Sequence, residues 1–350
     1  MPEDNTFPTS LNEGSRQAIS PPLVSHIYTA DPSAHVFQGK IYIYPSHDVD
    51  TGAAFDDLGS HFAMEDYHVL SLEHPSGPVT DHGVALHVKD VPWAEKQMWA
   101  PDAAEKNGKY YLFFPARDFS GIFRIGVAVS DQPSGPFVPQ PQAIKDSYSI
   151  DPAVFRDDDG SYYMYFGGIW GGQLQRWRSG MFNAGSPESP LAHLPADDEP
   201  ALCAKVARLT DDLLEMGEPP RDLVILDESG HPLRQGDNDR RFFEASWMHK
   251  YNNNYYFSYS TGDTHYLCYA IAGNPYGPFR YAGRILNPVE GWTSHHSICE
   301  FGGKWYLFYH DSSLSKGITH LRCVKMTELQ YDEDGKIITI DPYKKSSITP

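Results

Sequence analysis

The chain has 350 residues, and its 28 lysines and arginines against 46 aspartates and glutamates leave a formal charge of −18. An acidic surface repels both a phosphate backbone and an anionic lipid surface, so neither nucleic acid nor a membrane is an expected partner. No apolar run approaches the roughly 20 residues that cross a bilayer, and the polar first stretch lacks an export signal of the usual kind, so we expect a cytoplasmic protein.

A short polar turn followed by an aromatic-rich run recurs five times along the chain. Turns of this kind need residues that accept positive φ, and aromatic runs favour strands, so each copy predicts a β-hairpin. The turns are centred on Gly39, Gly108, Gly160, Asn253 and Gly303.

The spacing of these hairpins predicts the fold. The shortest intervals between turn centres are about 50 residues, and units of roughly 40–50 residues with four strands each are typical of a propeller. We therefore predict an all-β, five-bladed β-propeller over residues 23–350, after a polar segment at residues 1–22. The widest interval predicts a long insertion at about residues 170–241, outside the blade strands. Tandem β-sandwiches are the alternative, but they do not predict a fivefold repeat of one hairpin.

One position shared by the five repeats carries the residues of greatest chemical interest. It lies eight or nine residues before each turn centre, where the innermost strand of a blade begins at one mouth of the central channel. A single acid at a strand start is usually a cap or turn residue, but three acids at matched positions indicate a functional site. These residues are Asp31, Trp99, Asp151, Glu244 and His295.

Around these five residues the chain resembles glycoside hydrolase family 43, whose members have the five-bladed propeller fold. The resemblance is greatest to the β-xylosidases and α-L-arabinofuranosidases of the family. The resemblance implies that Asp31 is the general base, Asp151 the modulator of the acid's pKa, and Glu244 the general acid. It extends over nearly the whole chain and is carried by Ala30–Ser33, Trp99–Asp102, Ser149–Ala153, Glu244–Ser246 and Ser294–Ser297.

The chemistry of glycoside hydrolysis gives independent reasons for these roles. Inversion needs one protonated carboxyl group and one ionised carboxylate, roughly 6.5–9.5 Å apart with a water between them. A third carboxylate near Glu244 would raise the pKa of that acid by disfavouring a second negative charge. Proline follows both Asp31 and Asp151, which predicts an extended backbone at these two residues.

Three further residues are candidates for substrate binding. The indole of Trp99 can lie against the apolar face of a sugar ring, although an ordinary core tryptophan is the alternative. Arg322 resembles the arginine that hydrogen-bonds the terminal sugar in related β-xylosidases, with a solvated surface arginine as the alternative. Phe37, six residues beyond Asp31, is the third candidate, with packing between strands as the alternative.

A divalent metal, calcium in particular, is the suspected cofactor. The resemblance implies that His295 lies beside a central ion whose shell is largely water, and a hydrogen-bonded structural histidine is the alternative. Calcium takes roughly 6–8 oxygen ligands, so one imidazole would leave most of the shell to waters or carboxylates. A register shift of one residue would place His296 in the pocket instead.

Together these observations predict an inverting exo-glycosidase that releases terminal β-D-xylose from short xylo-oligosaccharides and also accepts α-L-arabinofuranosyl groups. One alternative is an enzyme acting mainly as an α-L-arabinofuranosidase, because the two sugars present similar hydroxyls. The other is a non-catalytic sugar-binding propeller. The three carboxylic acids favour an enzyme, since a binding module has no need of them.

Overall fold

A computed structural model describes residues 17–185, 192–292 and 295–344. Of the predicted polar segment at residues 1–22, residues 1–16 lie outside this described part. Within it the regular structure is β-strand, interrupted by short 3₁₀ helices and without an α-helix, and no helix is long and apolar enough to cross a membrane. The 3₁₀ helices are Val88–Asp90, Trp170–Gly172, Leu174–Trp177, Gly262–Thr264 and Ser313–Ser315.

In the described part of the chain the strands form one two-stranded sheet and five larger, mainly antiparallel sheets. The five larger sheets are the blades, and the predicted five-bladed propeller is confirmed. Blade one contains Tyr28–Phe37, Lys40–Asp48, Asp66–Leu72 and Val79–His87. Blade two contains Ala94–Lys96, Asp102–Lys106, Lys109–Asp118, Phe123–Ser130 and Val138–Pro139. Blade three contains Ala153–Arg156, Tyr162–Phe166, Lys205–Arg208 and Arg221–Asp222. Blade four contains Glu244–Tyr251, Asn254–Ser260, Leu267–Ala272, Phe279–Leu286 and the short parallel strand Ile225–Leu226. Blade five contains His296–Phe301, Lys304–Asp311 and Cys323–Leu329.

Each predicted turn joins the two innermost strands of its blade. Gly39, Gly108 and Gly160 adopt φ values of 75°, 75° and 82°, and a Cβ atom at any of them would meet nothing within 4 Å. Backbone conformation, not crowding, therefore favours glycine there. The innermost strands contact one another in a closed ring, the last beside the first.

The aromatic runs after the turns fill the space between neighbouring blades. Tyr44, Phe114, Tyr165, Phe257 and Tyr309 all lie on second strands and are almost completely buried. Burying each such side chain contributes roughly 1.5–3 kcal/mol of hydrophobic stabilisation. The repeat seen in the sequence is thus the repeat of the core.

Both ends of the described chain help to close the ring. Gln17–Ala18 pairs with Tyr343–Lys344, and the amide of Leu23 donates to the Val324 carbonyl of blade five at 2.8 Å. The folded domain therefore includes residues before Leu23, the predicted boundary. The sequence did not predict the strand Gln17–Ala18, because it is only two residues long and its pairing partner lies at the other end of the chain.

The prediction that residues 170–241 lie outside the blade strands was wrong. Lys205–Arg208 and Arg221–Asp222 are the third and fourth strands of blade three, and Ile225–Leu226 joins blade four. These strands have only two to four residues, so they are too short to show the alternation that predicts a strand.

Candidate active site

The five residues that share the equivalent position in the repeats come together in one pocket. All five line the pocket, and they come from the innermost strands of five different blades: Trp99, Asp151, Glu244 and His295 lie at or up to three residues before the strand start, whereas Asp31 is the fourth residue of its strand. The pocket holds about 680 Å³ of space, including the solvent at its open mouth.

The backbone is left-handed where these strands begin. Asp31, Asp151 and Ala245 adopt φ values of 51°, 57° and 67°, so the predicted extended backbone at the two aspartates was wrong. Aspartate tolerates this region better than most residues, whereas at Ala245 it is strained. The strand register shifts beside both Asp31 and Glu244, and bulges of this kind re-aim a side chain. The bulges therefore help to turn these carboxyl groups into the pocket.

Asp31 is held in its ionised form by the groups around it. Its two carboxylate oxygens accept hydrogen bonds from Arg322 Nη1 at 2.9 Å and from the Ser46 hydroxyl at 2.8 Å, and its amide donates to His310 Nδ1 at 3.0 Å. Burial raises the pKa of Asp31, but the Arg322 charge, the histidines and the Ser46 bond outweigh it and lower the pKa below its ordinary value. Asp31 is a carboxylate suited to accept a proton.

Arg322 lines the pocket, as a substrate-binding residue must, but it also joins two buried carboxylates. Its Nε and Nη2 donate to the oxygens of Asp48 at 2.8 Å, while Nη1 donates to Asp31. Buried charges need such partners, because desolvation of an unpaired carboxylate is costly. Asp48 had no signal in the sequence, since it ends an ordinary blade-one strand that faces the last blade only after folding.

Buried Asp151 and half-buried Glu244 form a pair of mutually repelling carboxyl groups. Burial, with a contribution from the charge of Asp31, raises the pKa of Glu244 to about 8. Burial and the charges of Glu244 and Asp31 raise the pKa of Asp151 as well, so the pair retains one proton near neutral pH. The Ala245 amide donates to Asp151 Oδ2 at 2.8 Å, which favours the ionised form of Asp151.

His295, rather than His296, faces the pocket. Its Nδ1 lies 3.7 Å from Asp31 Oδ1 and 3.9 Å from Asp151 Oδ2, whereas His296 is fully buried between blades with Nε2 2.6 Å from the Ser258 hydroxyl. Burial lowers the pKa of His295 to about 4, so its ring is neutral near pH 7.

A neutral imidazole can coordinate a metal ion. The residues around His295 would leave most of the other ligand positions of such an ion to water. The oxygens of Asp31 and Oδ2 of Asp151 already accept protein hydrogen bonds. Protein groups would therefore supply few of the roughly 6–8 oxygen ligands that calcium takes.

Aromatic residues form part of the pocket wall, together with the blade-one segment at residues 49–65, which connects the second and third strands of that blade. Trp99 is 8% exposed, and its indole N–H donates to the Phe62 carbonyl at 2.8 Å. A Cβ atom at Gly171 would lie 2.8 Å from the Leu58 carbonyl, so the blade-one segment meets the 3₁₀ helix at Trp170–Gly172. This contact joins two chain segments that line the pocket. Sequence reasoning missed the segment because it lies outside the repeated hairpins.

Phe37 is the predicted substrate-binding residue that the structure does not bring to the pocket. Its ring stacks on His35 with 5.4 Å between centroids, and it packs against Tyr42, Tyr44 and Tyr110. Six residues of extended strand cover roughly 20 Å, which carries Phe37 away from the pocket mouth. The substrate-binding prediction for Phe37 was wrong, and packing between strands is its role.

Comparison with known proteins extends over almost the whole chain. A family model for glycosyl hydrolases family 43 matches residues 27–189. Xylosidase/arabinosidase 43A of Humicola insolens is 62% identical over 328 residues, which are 92% of this chain and 99% of that protein.

Two solved structures superpose closely on the propeller. A GH43 β-xylosidase/α-arabinofuranosidase from a compost microbial metagenome, crystallised with xylotriose in a calcium-free form, has 65% identity and a TM-score of 0.91. The match covers 94% of this chain and 99% of that one. The GH43_1 enzyme from Xanthomonas citri, crystallised with xylotriose, has 57% identity and a TM-score of 0.88, over 95% of this chain and 97% of that one.

Proposed function

Because the chain belongs to glycosyl hydrolases family 43, we propose that it is an inverting exo-glycosidase that releases terminal β-D-xylose from short xylo-oligosaccharides and also cleaves terminal α-L-arabinofuranosyl groups. One observation carries the proposal: Asp31, Asp151 and Glu244 line one pocket, where the first is ionised and the other two share a proton.

In the proposed reaction Glu244 is the general acid and Asp31 the general base. Glu244 gives its proton to the glycosidic oxygen as the bond from C1 to that oxygen breaks. Asp31 accepts a proton from the water that attacks C1 on the opposite face, so the released sugar has inverted configuration. Asp151 is not consumed; its negative charge keeps the proton on Glu244 until the leaving group takes it. Arg322 keeps Asp31 ionised and oriented.

The shape of the pocket supports removal of terminal sugars. The contact between the Leu58 carbonyl and Gly171 brings two chain segments together beside the pocket, and such a narrowed pocket suits the end of a sugar chain better than its middle. The three acids also argue against a sugar-binding role without catalysis, because grouping three carboxyl groups in a largely desolvated pocket is unfavourable and the binding of a neutral sugar does not require it. Short oligosaccharides suit the cytoplasmic location expected from the sequence, which stays a prediction.

For the cofactor we propose a calcium ion held by the His295 imidazole, with water completing most of its shell. The crystallised relative from a compost metagenome, described as a calcium-free form, supports the idea of a calcium site in such enzymes. A bound cation would offset repulsion among the carboxylates. His295, with its neutral ring, would orient it, and Asp31 and Asp151 would face it.

The test is incubation of the purified protein with xylobiose, an aryl β-D-xyloside and an aryl α-L-arabinofuranoside. We expect release of xylose from xylobiose and hydrolysis of both aryl glycosides, and proton NMR should show the inverted anomer as the first-formed sugar. A retained anomer would contradict the proposed mechanism. Sugar binding without hydrolysis would favour the sugar-binding propeller.

A further inference from the structure

A cluster of two histidines and a carboxylate lies on blade one. His47, Asp66 and His68 each offer a ligand atom, and these atoms lie within 4.8 Å of one another. His47 Nδ1 is 2.7 Å from Asp66 Oδ1, and the two imidazole rings have centroids 4.7 Å apart. Side-chain exposures of 19%, 16% and 13% mean that the sheet holds these groups in place while solvent still reaches them.

Strand geometry brings these three side chains together. Asp66 and His68 flank Tyr67, which is completely buried, so alternation along the strand directs both neighbours to the opposite face. His47 lies one residue beyond Ser46, which pairs with Tyr67, so His47 is opposite Asp66 on the adjacent strand. The arrangement is built by two neighbouring strands, not by a loose surface loop.

A second carboxylate orients one of the histidines. Asp81, on the outermost strand of the same blade, lies 3.0 Å from His68 Nδ1, and its other oxygen lies 2.7 Å from His26 Nε2. Histidines that bind metals usually donate their second ring N–H to a carboxylate or carbonyl, which fixes the tautomer and the ring orientation. With Nδ1–H donated to Asp81, Nε2 of His68 has a lone pair for a metal.

We propose that His47, Asp66 and His68 bind a divalent transition-metal ion of the zinc class, with Asp81 as the outer partner of His68. Two imidazoles, one carboxylate and a water form a common tetrahedral zinc set, whereas calcium prefers oxygen ligands alone. The ion displaces the proton that lies between His47 Nδ1 and Asp66 Oδ1. None of the three ligands lines the pocket that holds Glu244, so this site is separate from the proposed calcium position.

The test measures zinc binding by the full chain after metal removal, using isothermal titration calorimetry and thermal melting. We expect one zinc ion per chain at this site, and a melting temperature that rises with zinc because the ion binds only the folded form. His47→Gln and His68→Gln should each weaken zinc affinity at least tenfold and leave hydrolysis of an aryl xyloside unchanged. His74→Gln is the matched control, since His74 is an exposed histidine of the same blade that bonds Ser76 instead of the cluster.

Anomalous diffraction at the zinc absorption edge locates the ion in crystals of the wild-type protein, so this measurement does not depend on the folding of any variant. A peak between His47, Asp66 and His68 in the wild-type crystal supports the site. Unchanged affinity in His47→Gln and His68→Gln, or a peak found only elsewhere, overturns it. Zinc binding that is lost in His295→Gln but retained in His68→Gln would assign the ion to the catalytic pocket and would also overturn the proposal.

Discussion

Replacing Glu244 by glutamine removes the proposed general acid while keeping the size of the side chain. A carboxyl group with the ordinary pKa of 4.5 would be protonated in well under about 1% of molecules at pH 7, whereas a pKa of about 8 leaves roughly nine-tenths protonated. The pocket thus enriches the acid form roughly 300-fold. Losing that acid should lower kcat/KM for xylobiose by about 10²–10⁴, because its sugar leaving group needs a proton. An activated aryl xyloside should lose far less.

The same side chain sets the expected pH dependence. Glu244 acts in its protonated form, so kcat/KM for xylobiose should be full below its pKa of about 8 and fall as the pH rises through that value. In Glu244→Gln this alkaline limb should disappear from the residual activity. Initial rates of xylobiose hydrolysis by the wild type and by Glu244→Gln, measured between about pH 5 and pH 10, show whether activity falls at alkaline pH.

The matched control is Glu333→Gln, which changes an exposed glutamate. It should leave both substrates and the pH profile unchanged. Equal losses on xylobiose and the aryl xyloside in Glu244→Gln, with the variant still folded by circular dichroism, would refute the acid assignment. An alkaline limb that survives the substitution would refute the link between the limb and Glu244.

Three other substitutions or treatments test the rest of the site. Asp31→Asn should abolish turnover of xylobiose and of the aryl xyloside alike, because a good leaving group cannot replace activation of the attacking water; residual turnover of the aryl substrate near the wild-type rate would contradict the base assignment. Arg322→Met leaves the Asp31 and Asp48 carboxylates buried without their shared partner. It should lower the free energy of unfolding by about 3–5 kcal/mol in urea denaturation, and a change below about 1 kcal/mol would contradict this account. Chelation should lower activity while the chain stays folded by circular dichroism, and added calcium should restore the activity; unchanged activity after exhaustive chelation would remove His295 as a cation ligand.

The parts of the fold that repeat could be predicted from the sequence. Each hairpin combines a turn that needs positive φ with an aromatic run, and both signals are local, so they survive without knowledge of the neighbours. Because the hairpins are equivalent, residues at one offset from the turn must meet at one mouth of the channel. The sequence therefore predicts a common pocket for Asp31, Trp99, Asp151, Glu244 and His295.

Only the tertiary structure could show how the pocket residues are held. The pair of Arg322 and Asp48 joins the last blade to the first, across almost the full length of the chain, and no local pattern encodes such a contact. The choice of His295 over His296 depends on register, since a shift of one residue reverses the face on which a side chain lies. The contact between Leu58 and Gly171 likewise joins segments of blades one and three that are far apart along the chain. Local sequence determines which hairpins form, whereas the field and shape of the pocket come from groups that meet only when the ring closes.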